Sequence, residues 1–357
     1  MTLIIAEAGV NHNGDDDIAF QLVDEAYKAG ADIVKFQTFK SNKLVTSEAG
    51  QAAYQKMNTG REESQLNMLS RLELSHDSHH RIVEYCSKVG IEFLSTAFDF
   101  ESLSFLVNDL KLKRLKIASG ELSNAPLLLE HARTGCDLIV STGMSTLSDI
   151  ELALGVIAFG YTSSEDSSPS IEAFSRAYSS CEGQNALRNK VTLLHCTTEY
   201  PAPLAEVNLR AMDTLGNAFG LPSGYSDHTS GYSISIAAAA RGAVIVEKHF
   251  TLSRQLEGPD HEASLEPEEL ALMVSGIRDL ELALGDGIKR PTFSEINNKQ
   301  VAQKSLVAEK NITKGELFTE DNISVKRPGS GKSPYSYWSI LDTAAIRDFA
   351  AGELIDD

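Results

Sequence analysis

The sequence is short of cysteine and of positive charge, and it has no long apolar run. Its four cysteines, Cys86, Cys136, Cys181 and Cys196, are widely spaced with no CxxC pair. That pattern excludes a disulfide framework and the ligand spacing of a structural zinc site, and it reads as free thiols in a reducing compartment. Fifty acidic residues against 32 basic ones leave a net charge of −18. Such a surface repels nucleic acid and anionic membranes, so neither is an expected partner. No stretch is long and apolar enough to span a bilayer. The opening Met-Thr-Leu-Ile-Ile-Ala-Glu lacks a basic segment, an apolar core and a cleavage site. No signal peptide is therefore expected, and the expected location is cytoplasmic.

What is present is a rhythm. A chain of 357 residues exceeds one ordinary core and suits a large domain plus a small one. Eight short β-rich runs recur: Leu3–Ala6, Ile33–Phe36, Glu92–Ser95, Arg114–Ala118, Leu138–Ser141, Thr192–Cys196, Ser223–Ser226 and Ala243–Lys248. Ala19–Ala29, Ser78–Val89 and Ser148–Phe159, lying between runs, have apolar residues at helical spacing. Eight strand–helix alternations predict an α/β fold, a closed (β/α)8 TIM barrel over residues 1–284. The seventh run, short and polar, is its weakest member. Tyr161–Lys190, rich in Ser and acidic residues, reads as an exposed insertion with a short helix near Ile171–Ser179, or as a lid. Residues 285–300 read as a linker, and 301–357 as a small strand-and-turn module that must dock to be stable.

In such a barrel chemistry sits at the carboxyl ends of the strands. Every run here ends in charged or hydroxyl groups, which packing does not explain, so they point to one polar site at the mouth. Ser119-Gly120 and Ser141-Thr142-Gly143 offer Oγ and N–H groups, each read as opening a helix, and Lys116 adds charge: an expected phosphate site. His228 and His249 end neighbouring strands and could share a divalent ion. Spacing alone does not favour a metal over hydrogen-bonded rim histidines, and His12, His195 and His261 are rivals. Glu7, Glu121 and Asp260 are candidates for carbonyl or hydroxyl contacts, although a solvated side chain is the default for Asp260 in so acidic a chain.

These segments match a family in order and over nearly the whole chain. Ile5–Gly14, Val34–Thr38, Lys116–Glu121, Ser141–Met144, His195–Pro201, Tyr225–Thr229, Glu247–Thr251 and Gly258–Asp260 together resemble the bacterial sialic acid (nonulosonic acid) synthases, which make N-acetylneuraminate or N,N′-diacetyllegionaminate. Ile312–Glu316 and Lys326–Gly329 resemble the antifreeze-like (SAF) domain that follows the barrel in that family.

The resemblance implies condensation of phosphoenolpyruvate with an open-chain N-acylamino-mannose-type sugar. It implies a manganese or magnesium ion on His228 and His249, and phosphoenolpyruvate on Lys116, Ser119, Ser141, Ser226 and Thr96, with Thr198 nearby. It places Glu7, Lys35, Glu121, Tyr200 and Asp260 around the sugar, with Glu121 as the hypothesis for proton acceptor in the water step. Arg327 is implied to reach the sugar's acyl group in the partner subunit of a domain-swapped homodimer. The stretches Ala53–Gln55 and Glu63–Leu66 tilt the acceptor toward 2,4-diacetamido-2,4,6-trideoxymannose, with N-acetylmannosamine as the alternative.

Departures from the family pattern are Ala97 where Pro usually follows Thr96, Thr198 where some members have Asn, the length of 161–190, and the missing Gly-Lys near Leu341–Ala344. Two other classes compete. A barrel aldolase or metal-dependent hydrolase would use Lys35 or Lys116 as an imine lysine, or a fuller metal set. A sugar-binding protein with a degraded site is opposed by the intact Glu7, Lys35, Lys116, His228, His249 and Arg327.

Overall fold

Eight parallel strands close on themselves: β1 (Leu3–Gly9), β2 (Ile33–Thr38), β3 (Glu92–Ala97), β4 (Arg114–Ile117), β5 (Asp137–Ser141), β6 (Val191–Cys196), β7 (Ser223–Asp227) and β8 (Ile245–His249). The structure is a computed structural model and describes residues 1–60, 62–164 and 166–356, with the side chains of 53, 54 and 57 left out. Ala53 and Tyr54, part of the stretch resembling the legionaminate type, thus lie outside the described side chains. Residue pairing between β1 and β8, Glu7 opposite His249, completes the ring. The barrel is the expected TIM architecture.

Side chains alternate along each strand between the barrel interior and the surrounding helices. The outward set (Ile4, Ala6, Val34, Phe93, Leu115, Val140 and others) packs under the helices in two buried clusters. The inward set forms its own dry plug: Ile5, Ile33, Leu94, Ile139, Leu194 and Ile245. β7 reads poorly in the sequence because Gly224 takes the corresponding inward position. A Cβ there would overlap the Ile245 carbonyl oxygen, so close strand approach demands glycine.

One ion pair among the outward residues is fully buried. Lys248 Nζ lies 3.2 Å from Asp227 Oδ2, and both side chains are 0% exposed. Asp227 also accepts from Thr229 N, Thr229 Oγ1 and Ser235 Oγ, and Lys248 donates to the Thr229 carbonyl. A buried pair is tolerated when its remaining valences are met, as here. It ties β7 to β8 beside His228 and His249.

The insertion 161–190 is more ordered than its composition implies. Among the described residues, only its Ser-rich start and Ser180 lie outside helices. Helices Ile171–Ser179 and Cys181–Lys190 follow, each capped by a serine hydroxyl, Ser170 and Ser180. Phe174 packs edge-on to Phe159 at 5.3 Å, and Leu187 is buried in the barrel's outer core. No described residue of 161–190 lines the mouth cavity, so the lid reading gains no support.

A second unit spans Gly285–Asp357. The segment 285–300, expected to be a linker, carries most of a helix, Phe293–Ala302, opened by a Thr292–Glu295 capping box. Beyond it β9 (Ser305–Ala308) pairs antiparallel with β10 (Ile323–Lys326). Bridges Val307–Leu354, Ile312–Phe349 and Leu317–Ala344 fold the rest around a core of Leu306, Ile312, Phe318, Ile323, Phe349 and Ile355. Among the described residues no helix is long and apolar enough to cross a membrane.

Candidate active site

Two residues beyond the dry plug, each strand turns one side chain into the mouth. The register gives Glu7, Lys35, Thr96, Lys116, Ser141, Cys196, Ser226 and Glu247, and all of them line one cavity of about 230 Å³. Sequence reasoning found six of these. It missed Glu247 and Cys196, although strand parity could have found both: Glu247 shares a face with His249, and Cys196 with Leu194. The next inward positions supply Gln37, Phe98, Thr198, His228 and His249 to the same cavity.

The charges of the ring are tightly organised. Lys35 Nζ lies 2.6 Å from Glu7 Oε2 and 3.6 Å from Glu247 Oε2, and donates to Thr96 Oγ1 at 3.2 Å. Lys116 Nζ donates to Ser141 Oγ at 2.6 Å and lies 3.6 Å from Glu247 Oε1. Glu247 therefore sits between two lysines and accepts from Ser226 Oγ at 2.7 Å. Burial alone would raise its pKa, but Lys116 and Lys35 hold it down at about 2. Glu7 goes the other way. Burial, reinforced by the Glu247 carboxylate, pushes it up to about 7 against the pull of Lys35. Two carboxylates thus share the lysines unequally: Glu247 is the ionised one, and Lys35 stays protonated. Because burial raises the pKa of Glu7, the two lysines, Lys35 and Lys116, are only partly compensated by the carboxylates of the ring, which suits an anion.

His228 and His249 face each other at the rim, ring centroids 5.6 Å apart. Nδ1 of His228 donates to the Thr197 carbonyl at 2.6 Å, which leaves its Nε2 lone pair for the cavity. Burial lowers the pKa of His228 to about 4 and holds His249 well below the usual imidazole range, so both are neutral. Nδ1 of His249 is buried without a hydrogen-bond partner and lies 4.0 Å from Asp260 Oδ2. Two neutral imidazoles, one oriented by a backbone carbonyl and one with an unsatisfied nitrogen, fit a divalent cation with open positions. Among the described residues no cluster of three or more His, Cys, Asp or Glu is arranged to hold a metal, so substrate or water would complete such a site. The rivals serve the fold: His12 Nδ1 accepts from Gly14 N, His195 bonds the Val207 carbonyl and His261 bonds Thr251.

The remaining candidates divide. Tyr200 packs over His228 at 4.2 Å and lines the cavity. Asp260 is buried rather than solvated, and desolvation pushes its pKa up to about 6. Thr198 lines the cavity with an Oγ1 that has no hydrogen-bond partner. Ser119 lines it too, but its Oγ accepts from Gly143 N at 3.0 Å and touches Cys196 Sγ at 3.1 Å. The expected anion site at paired helix N-termini is therefore corrected. Gly143 N–H is already taken, Ser119 opens only a three-residue 3-10 turn, Ser119–Glu121, and the α-helices after β4 and β5 begin later, capped by Asn124 and Thr146. Glu121 does not line the cavity; its carboxylate accepts from Asn124 Nδ2 at 2.8 Å. Arg327 lies in the second unit, directly after β10.

Comparison with known proteins places this geometry in a lineage. The profile of the NeuB family matches residues 22–289, and that of the SAF domain matches 303–357. The chain is 47% identical to N,N′-diacetyllegionaminic acid synthase of Campylobacter jejuni, over 99% of this chain and 98% of that one. It is 41% identical to the enzyme of the same name from Legionella pneumophila, over 98% and 92%. Among solved structures, the N-acetylneuraminic acid (sialic acid) synthetase of Leptospira borgpetersenii superposes with a TM-score of 0.65 at 33% identity, covering 83% of this chain and 90% of that one. The chain is a member of the NeuB family, an enzyme whose catalytic barrel is followed by a SAF domain.

Proposed function

We propose that the protein condenses phosphoenolpyruvate with open-chain 2,4-diacetamido-2,4,6-trideoxymannose and water, giving phosphate and a nine-carbon 2-keto sugar acid of the legionaminic acid type. The observation that carries this reading is the eight-strand polar ring, in which two lysines flank an ionised carboxylate directly below two neutral imidazoles. The identities to the Campylobacter and Legionella enzymes support the acceptor.

Lys116, with Ser141, Ser226, Ser119, Thr96 and Thr198, holds the anionic donor at the bottom of the cavity. The fixed donors need no reorganisation as charge shifts during reaction. Glu7, Lys35, Tyr200 and Asp260 border the acceptor. His228 and His249 would hold a manganese or magnesium ion, whose Lewis acidity polarises an aldehyde carbonyl.

C3 of phosphoenolpyruvate bonds to C1 of the sugar, and the aldehyde oxygen gains a proton. The cation left at C2 takes up water, which releases a proton, and C–O cleavage expels phosphate and leaves the ketone. Holding both reactants face to face removes much of the entropic cost of the first step. Glu7, with a pKa near neutrality, is suited to pass a proton within the ring. The proposal includes a homodimer in which Arg327 serves the acceptor of the second subunit.

Phosphate release from phosphoenolpyruvate with manganese tests the reading, with the diacetamido sugar and N-acetylmannosamine run in parallel and products identified by mass. The diacetamido sugar is expected to be the better acceptor, and the reaction to be unaffected by borohydride with pyruvate. Imine trapping on Lys35 or Lys116 would instead establish an aldolase.

A further inference from the structure

His228 and His249 stand at the ends of neighbouring strands, yet the β7–β8 ladder does not reach them. Pairing of the two strands ends at Asp227 opposite Lys248, one residue before each histidine. His249 is still held from its other side, paired with Glu7 of β1. His228 lies past the end of β7, and its carbonyl accepts from Ala202 N at 2.8 Å, in the excursion after β6.

The buried ion pair spans this gap. Asp227 Oδ1 accepts from Thr229 N and Thr229 Oγ1, both at 2.8 Å, and Lys248 Nζ donates to the Thr229 carbonyl. Both backbone polar groups of the residue after His228 are thus gripped by a pair whose other member precedes His249. Asp227 Oδ2 is itself fixed, 3.2 Å from Lys248 Nζ and 2.6 Å from Ser235 Oγ on the helix Ser233–Ala240. Asp227, Thr229, Ser235 and Lys248 are all fully buried, so bulk water offers them no alternative partner. Apolar side chains could fill this volume at little loss of stability, but they could not hold Thr229.

We infer that Asp227 and Lys248 are positioning residues, which fix the His228 backbone to β8 and so set the spacing of the two imidazoles. The inference rests on the reading of His228 and His249 as holding a divalent ion. Among the described residues no group of three or more His, Cys, Asp or Glu is arranged to hold a metal, so no third side chain corrects the spacing of these two. A site of this kind tolerates errors of only about 0.5 Å. The Thr197 carbonyl orients the His228 ring at 2.6 Å, but it does not fix the distance of that ring from β8.

The test is Mn2+ binding to the full chain without substrates, read from the electron paramagnetic resonance signal of the free ion, with His228→Ala as the reference for loss of the site. The double variant Asp227→Asn/Lys248→Met removes equal and opposite charges, so the net charge beside the histidines is unchanged. Asparagine keeps an acceptor for Thr229, and the link to β8 is what is cut. This variant is expected to bind Mn2+ about 10-fold more weakly, the lower end of what lost outer contacts cost a metal site. Its melting temperature in EDTA reports stability separately; a pair that serves the fold alone would move that temperature and leave Mn2+ affinity unchanged. Thr229→Val removes one bond to Asp227 without uncovering a charge, and is expected to weaken Mn2+ binding by a smaller factor. Wild-type affinity in the folded double variant, or in Thr229→Val where the double variant does not fold, would overturn the positioning role and leave the histidine site intact. No Mn2+ bound by the wild type, or as much bound by His228→Ala, would overturn the histidines as a metal site, and the positioning role with it.

Discussion

Lys116→Met is expected to lower kcat/KM for phosphoenolpyruvate by about 10³-fold, the scale on which removing one partner of a buried charge contact is felt. Methionine fills much of the same volume without the ammonium. The donor then loses the cation nearest Ser141, and Glu247 keeps only Lys35 at 3.6 Å and the Ser226 hydroxyl at 2.7 Å. Part of the loss is the cost of a carboxylate whose compensation has halved. The loss should fall on the donor: its KM rises and kcat drops, while the KM for the sugar changes little. Lys116→Arg should recover only a fraction, since a planar fork does not fit a site shaped for a point charge. Steady-state phosphate release with each substrate varied checks this. A Lys116→Met protein with normal donor KM would remove Lys116 from the donor site.

Acid should destabilise the folded chain well before its carboxylates protonate. His12, His79 and His131 are buried, and desolvation lowers their pKa values to about 3, 4 and 4. In the unfolded chain they titrate near 6.5. Between pH 6.5 and about 4 the unfolded state therefore binds more protons than the native state, and stability falls as pH falls. Each such histidine contributes up to about 1.4 kcal/mol per pH unit, or about 6 kcal/mol for the three at pH 5. Glu7 and Asp260, whose pKa values are raised, act in the opposite sense over part of this window. His228 and His261, both lowered to about 4, add to the histidine side.

His131 isolates the effect, because it lies on the helix Ala125–Arg133, away from the cavity lining, with Nδ1 bonded to the Leu127 carbonyl and Nε2 without a partner. His131→Leu should reduce the loss between pH 6.5 and 5 by about 2 kcal/mol, read from denaturant midpoints at each pH. An unchanged pH slope in that variant would mean that His131 is protonated in the native protein.

Much of this site was legible because two periods coincide. Strand–helix alternation locates the strand ends, and strand parity then picks the inward residue: Ile33 predicts Lys35, Ile139 predicts Ser141, Ile245 predicts Glu247 and His249. Glu247 was overlooked because a carboxylate is unremarkable in a chain with 50 acidic residues; its meaning comes from the two lysines that only the closed barrel brings to it. The small buried cluster of Val10, Phe39, Met68 and Leu72 near the mouth had no local signature. Met68, Leu69 and Leu72 lie on and just after a six-residue helix, Gln65–Ser70, too short to give a periodic pattern, and they matter only through contacts with Val10 and Phe98. The Phe293–Ala302 helix was hidden by the Gly and Pro around it, although Thr292 and Glu295 spell a capping box. At Ser141–Gly143 the glycine-and-hydroxyl composition was read as an anion nest, but the chain spends the Gly143 N–H on Ser119.

The most direct test of the account uses phosphoenolpyruvate carrying oxygen-18 in the bridging C–O–P position, with manganese and the 2,4-diacetamido acceptor. The account predicts a nine-carbon acid with the mass of acceptor plus pyruvyl unit and no label, and phosphate that carries all of it. Label retained in the sugar acid, or phosphate released with no adduct formed, would contradict it.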